Sequence, residues 1–110
     1  MDDSSAGIFE CQANICSVFS NDKRLMILWL IGEGEKSVGA IAKEAGLSDV
    51  AVSQHLRVMK DRGVVVSRKE GRSVLYRIAN PKFLRGIQLI REGLVEESAK
   101  RNRTLQDNLR

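Results

Sequence analysis

The stretch from Ser48 to Gly63 constrains this chain more than any other. It opens on a hydroxyl that can accept the free N–H groups of a first helical turn. It closes on a glycine, the residue that most readily takes the left-handed conformation ending a helix. Between them Val52, Leu56 and Met59 recur at helical spacing and form one apolar stripe. Ser53, Gln54 and Arg57 fall on the other side, with His55 near the boundary. Short polar groups near a helix N-terminus, followed by cations, suit the major groove of a duplex, where the polar groups reach base edges and the cations meet phosphates. An amphipathic surface helix would show the same stripe, so the neighbouring segments decide between the two.

Upstream, Ser37 can cap a short helix from Val38 to Ala45, with Val38, Ile41 and Ala42 inward and Gly46 as its stop. Two short helices joined by a tight turn containing glycine form a helix-turn-helix, and the small Gly39 and Ala42 permit the close crossing it needs. Further back, Ile8, Cys11, Ile15, Val18 and Phe19 lie at helical spacing, which predicts a first helix over about residues 8–19. Ser20-Asn21-Asp22 then offers a cap for a second helix through Lys23 to Ile31. Its apolar residues run almost all the way round, so it is expected to be the most buried helix. Gly32 and Gly34 end it.

Downstream, Val64 to Glu70 and Ser73 to Ile78 are rich in β-branched residues and flank the pair Gly71-Arg72. A two-residue loop with glycine first suits a type II′ hairpin. Its tip carries Arg68, Lys69 and Arg72, a cationic wing able to lie along a phosphate backbone or in the minor groove. The same charges would also guard an exposed strand edge. Asn80-Pro81 opens a last helix, in which Phe83, Ile87, Ile90 and Leu94 make a seam for the body of the domain or for another chain. The expected fold is therefore mainly α with a small β-hairpin: two helices, a helix-turn-helix, the hairpin and a last helix. The expected divisions are a flexible start at 1–7, one folded domain at 8–98 and a polar tail at 99–110, in which Lys100 to Arg110 form a frayed helix or a tail.

A chain of 110 residues supports one domain. Its charge is uneven. Residues 1–47 sum to −3, residues 48–77 to +4 and residues 78–110 to +3, so the positive field begins at the Ser48 helix. That distribution points to a polyanionic partner. No apolar run reaches the length of a membrane span, and the start, Met1-Asp2-Asp3-Ser4-Ser5, is acidic and polar. A cytoplasmic protein is expected. An enzyme is not. There is no glycine-rich phosphate loop, no nucleophile elbow and no histidine placed to activate Cys11 or Cys16.

In this order of elements the chain resembles the ArsR/SmtB family of bacterial winged-helix repressors. The resemblance rests on Ser20 through Leu28, Gly34-Glu35-Lys36-Ser37-Val38, Leu47 through Val58, and Gly71-Arg72-Ser73-Val74-Leu75-Tyr76. It implies a winged helix-turn-helix homodimer, joined through its first and last helices and bound to an inverted-repeat operator in double-stranded DNA. An inducer would release it. Two-fold symmetry would set two Ser48 helices in successive major grooves about 34 Å apart. Ser48, Ser53, Gln54 and His55 would then face bases or nearby phosphates. Arg57, Arg68, Lys69 and Arg72 would bind the backbone or the minor groove.

The inducer is less determined. Metal sensors of the family carry a Cys-x-Cys pair on the third helix, or His and acidic ligands on the last. Here the third helix reads Ser37-Val38-Gly39-Ala40-Ile41-Ala42 and the last has no His, so no metal and no cofactor is expected. The run from Arg24 to Leu28 is most similar to the sulfide- and persulfide-responsive branch, whose thiols follow that run and sit on the last helix. Trp29 occupies the first of those places, and the last helix has no Cys. Cys11 and Cys16 remain as candidate sensing thiols. Five residues apart, they are separated by about 140° around a helix. Cys11 lies on the apolar stripe, where burial is its ordinary fate, and Cys16 lies off it. Packing, thiol redox or persulfide chemistry, and capture of trivalent arsenic shared between protomers all stay open, as do an activator and a ligand-independent repressor of the same fold.

Overall fold

The computed structural model describes residues 3–108, with side chains from Ser5 to Arg103. Helix α1 spans Asp3–Val18, α2 Asp22–Ile31, α3 Val38–Ala45, α4 Asp49–Asp61 and α5 Pro81–Asn108. Strands β1 (Glu35–Ser37), β2 (Val65–Glu70) and β3 (Ser73–Ile78) form one antiparallel sheet in the order β1-β3-β2.

Local chemistry explains most of these boundaries. Asn21 Oδ1 accepts the N–H of Arg24 at 3.1 Å, Ser37 Oγ that of Ala40 at 3.2 Å, and Ser48 Oγ that of Ala51 at 3.1 Å. Each satisfies one of the donors a helix leaves free at its start. Asn80 Oδ1 accepts from Lys82 at 2.9 Å, and Pro81, which has no N–H to lose, takes the first helical position. Helices α3 and α4 end alike. Gly46 and Gly63 take positive φ (69° and 79°), and the N–H of the next residue turns back: Leu47 to Ala42 O at 3.1 Å, Val64 to Met59 O at 2.9 Å. In both, an apolar residue follows the glycine and folds onto the helix it ends.

The core is built from Val18, Ile27, Leu28, Ile31, Ile41, Ala42, Val52, Leu56, Met59, Val64, Val65, Ile78, Leu84 and Ile87. The stripe read from the sequence on α4 is fully buried in it, which fixes the opposite side of that helix as an outer face.

Two features depart from the sequence reading, and two more resolve what it left open. First, α1 begins at Asp3 rather than near residue 8, because Asp3, Ser4 and Ser5 suit a helical first turn despite their polarity. Second, the sheet has three strands. Glu35–Ser37 pairs with β3 in the register Glu35–Arg77, Lys36–Tyr76, Ser37–Leu75, and a strand of three residues carries no period of its own. Third, α5 continues to Asn108, through the segment read as a frayed helix or a tail. Glu96, Glu97, Lys100, Arg101 and Arg103 are good helix formers, and Glu97 pairs with Lys100 one turn on. Fourth, the seam on α5 divides. Phe83, Leu84 and Ile87 pack into the core, whereas Leu89, Ile90, Leu94 and Val95 are exposed in the single chain. The readings of residues 1–2 and 109–110 lie outside the described residues.

Helix α2 contributes Ile27, Leu28 and Ile31 to the core, yet Trp29 is exposed. Its ring lies under the guanidinium of Arg91 on α5, 4.0 Å from the centroid, so the two helices also meet through a cation–π contact. Among the described residues no helix is long and apolar enough to cross a membrane.

Candidate nucleic-acid interface

With its inner stripe buried, α4 presents Val50, Ser53, Gln54, Arg57 and Lys60 to solvent. These fall at the spacings of one helical face. The polar and apolar members come first and the cations follow. Ser48 caps the helix through its Oγ, so its hydroxyl proton remains available to a neighbouring acceptor. His55 is half-buried on the flank of the core and not on the outer ridge. Sequence reasoning missed Val50, which is 67% exposed at the start of the helix, where an apolar group can meet a thymine methyl. The signal was present, since Val50 falls off the Val52-Leu56-Met59 stripe. Lys60, one turn beyond Arg57, was missed in the same way.

The chain passes from α4 through Gly63 into the hairpin, whose strands pair from Val65–Ile78 to Glu70–Ser73. The loop is Gly71-Arg72, and only its first residue has positive φ (61°), as a type II′ turn requires. Val65, Ser67 and Lys69 project to one face, and Val66, Arg68 and Glu70 to the other. Val65 and Ile78 sit in the core, so the face of Arg68 is the outer one.

The three wing cations differ in what surrounds them. Lys69 and Arg72 are exposed and have no ion-pair partner among the described residues. Arg68 is engaged. Its Nε donates to both carboxylate oxygens of Glu35, at 3.1 and 2.9 Å, and its Nη2 donates to Glu35 Oε1 and to Glu70 Oε2, the latter at 3.2 Å. Glu35 stands on the far edge strand, so the pair reaches across β3 and clasps β1 to β2 over the outer face. Hydrogen bonding from Arg68, aided by the fields of Arg68 and Arg77, lowers the Glu35 carboxyl from its ordinary value against some desolvation. Glu35 raises the Arg68 guanidinium in return. Glu35 was not singled out from the sequence, and 33 residues separate the partners.

Cys11 and Cys16 are both exposed in the single chain. The burial expected of Cys11 does not come from its own domain. It shares α1 with the exposed Ile8 and Phe9.

A helix-turn-helix followed at once by a hairpin wing makes this a winged helix-turn-helix domain. Residues 21–67 match the model of the bacterial regulatory protein arsR family. The chain is 33% identical to the transcriptional activator HlyU of Vibrio cholerae, over 69% of its own length and 70% of that protein's. It is 33% identical to a biofilm growth-associated repressor of Xylella fastidiosa, over 64% of this chain and 61% of the repressor. In three dimensions it is similar to the homodimeric winged helix-turn-helix DNA-binding domain of a Mycobacterium bovis protein, with 32% identity and a TM-score of 0.79 across 88% of this chain and 90% of that one. The chain belongs to the arsR family. It spans between 39% and 62% of the length of several curated relatives that it matches.

Proposed function

We propose that this protein is a homodimeric, sequence-specific DNA-binding repressor that reads an inverted-repeat operator with α4 and steadies itself with the wing. The observation that carries the reading is the division of α4. Its apolar stripe is wholly buried, leaving an outer ridge of groups that can read bases and hold phosphates. Lys69 and Arg72, two cations unpaired among the described residues, follow on the hairpin. A module built to bind protein would instead expose an apolar patch on that ridge, and Val50 is its single large apolar member.

Two substitutions separate the roles. Arg72→Ala weakens binding to operator and random DNA alike and lowers the slope of log affinity against log salt by about 0.9, one phosphate contact. An unchanged slope would remove the wing from the mechanism. Gln54→Ala costs about 1–3 kcal/mol on the operator and little on random duplex, because a bidentate amide distinguishes bases and not phosphates. Equal losses on both would place Gln54 outside base reading.

The exposure of both thiols on α1 favours a second reading, in which Cys11 and Cys16 sense a thiol-reactive inducer, either a persulfide or trivalent arsenic. Fluorescence anisotropy of the reduced protein on its own upstream DNA tests both readings. The titration is repeated after each treatment, with a Cys11→Ser, Cys16→Ser double variant as control. Tight, salt-sensitive binding that one treatment abolishes, and that the variant keeps, gives function and inducer class together. Tight binding indifferent to both treatments leaves a repressor whose cysteines pack. Binding no better than to random DNA overturns self-regulation.

A further inference from the structure

The hydrogen bonds around Arg68 set it apart from the other cations of the hairpin. A guanidinium presents its N–H groups as a planar fork that fits a carboxylate or a phosphate equally well. Glu35 occupies that fork through Nε and Nη2, and Glu70 takes a further bond from Nη2. Both partners lie on the outer face of the sheet. The register places Ser37, Leu75 and Arg68 in one row and Glu35, Arg77 and Val66 in the next, so the clasp runs diagonally between rows. Lys69, the next residue, points to the opposite face and carries no such partner among the described residues.

We propose that Glu35 is an internal competitor for the DNA backbone: it occupies Arg68 where a phosphate would bind, so the wing engages DNA through Lys69 and Arg72 alone. The inference rests on the DNA-binding reading above and deepens it. Glu35 is a positioning residue that acts through Arg68. It costs the protein one phosphate contact and in exchange ties the short strand β1 to the hairpin. Sequence-independent affinity is thereby held down while the base-reading ridge of α4 is untouched, which raises the ratio of operator to random binding. Coulombic attraction from Arg77, opposite Glu35 in the register, helps keep the carboxylate charged and the clasp closed.

The test is the salt dependence of binding to a random duplex and to the upstream DNA, for the wild type, Arg68→Ala, Glu35→Gln and the double variant Glu35→Gln, Arg68→Ala. Far-ultraviolet circular dichroism and thermal melts check that each folds. In the wild-type background Arg68→Ala is expected to leave the slope unchanged. Glu35→Gln is expected to bind random duplex more tightly at low salt and to steepen the slope by about 0.9. That corresponds to a further loss of roughly threefold in affinity between 50 and 200 mM salt. The double variant returns to the wild-type slope, whereas a carboxylate that merely braced the sheet would give no such return. Conservative replacement by Asp, which keeps the charge, restores the wild-type slope. A slope lowered by Arg68→Ala alone means that Arg68 already holds a phosphate, and this overturns the proposal while leaving the DNA reading intact. A Glu35→Gln variant that is weaker at an unchanged slope overturns it as well. A wild-type protein with no salt-sensitive binding to either duplex removes the DNA reading and the restraint with it.

Discussion

Leu56→Ala is expected to cost the fold about 2–5 kcal/mol, the range for a leucine removed from a core that cannot collapse around the space it leaves. Leu56 is fully buried at the middle of α4, between Val52 and Met59, which are fully buried too. Helices α2 and α3 and strand β2 all pack against α4, so the lost contacts are spread over several elements that none can shift alone to restore. Urea unfolding at one fixed protomer concentration reads the effect as a lower midpoint at constant m-value. Val50→Ala on the same helix is the control. Its side chain is mostly in water, and its stability change should stay within about 0.5 kcal/mol. A cost for Leu56→Ala as small as the control's would mean that α4 is not anchored by its inner stripe, and the outer ridge would lose its fixed orientation.

Ile90→Glu is expected to raise the dimer dissociation constant by about thirtyfold or more, the scale of losing an interface residue worth roughly 2 kcal/mol. Ile90 is 74% exposed in the single chain. Leu89, Leu94 and Val95 accompany it on α5, with Ile8 and Phe9 on α1. So many large apolar groups on two helices exceed the scattered exposure of an ordinary monomer surface. A two-fold interface would place the new carboxylate at the contact twice, once from each protomer. Sedimentation velocity across a concentration series checks it, with Glu96→Gln on the same helix as a control that should sediment as the wild type does. An Ile90→Glu protein that remains as dimeric as its parent would move the interface elsewhere. A protein that is monomeric before mutation would remove the dimer altogether.

What could be read from the sequence was what the chain encodes locally. The Ser48 cap, the Val52-Leu56-Met59 stripe and the Gly63 stop lie within sixteen residues, and each acts on its own turn of helix. The Gly71-Arg72 loop was legible for the same reason, since a two-residue connection leaves few geometries. Strand β1 was not legible, because Glu35, Lys36 and Ser37 are extended through their partners on β3, some forty residues away. The engagement of Arg68 was hidden likewise. Its sequence neighbours Lys69 and Arg72 suggested a uniform cationic tip, and only the folded sheet brings Glu35 within reach. The exposure of Cys11 was hidden because spacing puts it in line with Ile15 and Val18, and only the folded chain shows that the body covers the end of that stripe and not its start. The division of the α5 seam has the same origin. Spacing shows that Ile87 and Ile90 can share a face, and only the extent of the body decides which of them it covers.

That division of α5 has a consequence for dosage. The first turns of the helix belong to the core through Phe83, Leu84 and Ile87, while the exposed apolar groups begin only at Leu89. The turns that close the core are thus separate from those left exposed, an arrangement that allows folding and pairing to be successive equilibria. With the dimer proposed above as the operator-binding form, occupancy at low expression rises with the square of protomer concentration. A gene under such control responds weakly to the first molecules made and sharply once pairing sets in. Substitutions along the outer half of α5 would shift that threshold while leaving the domain folded.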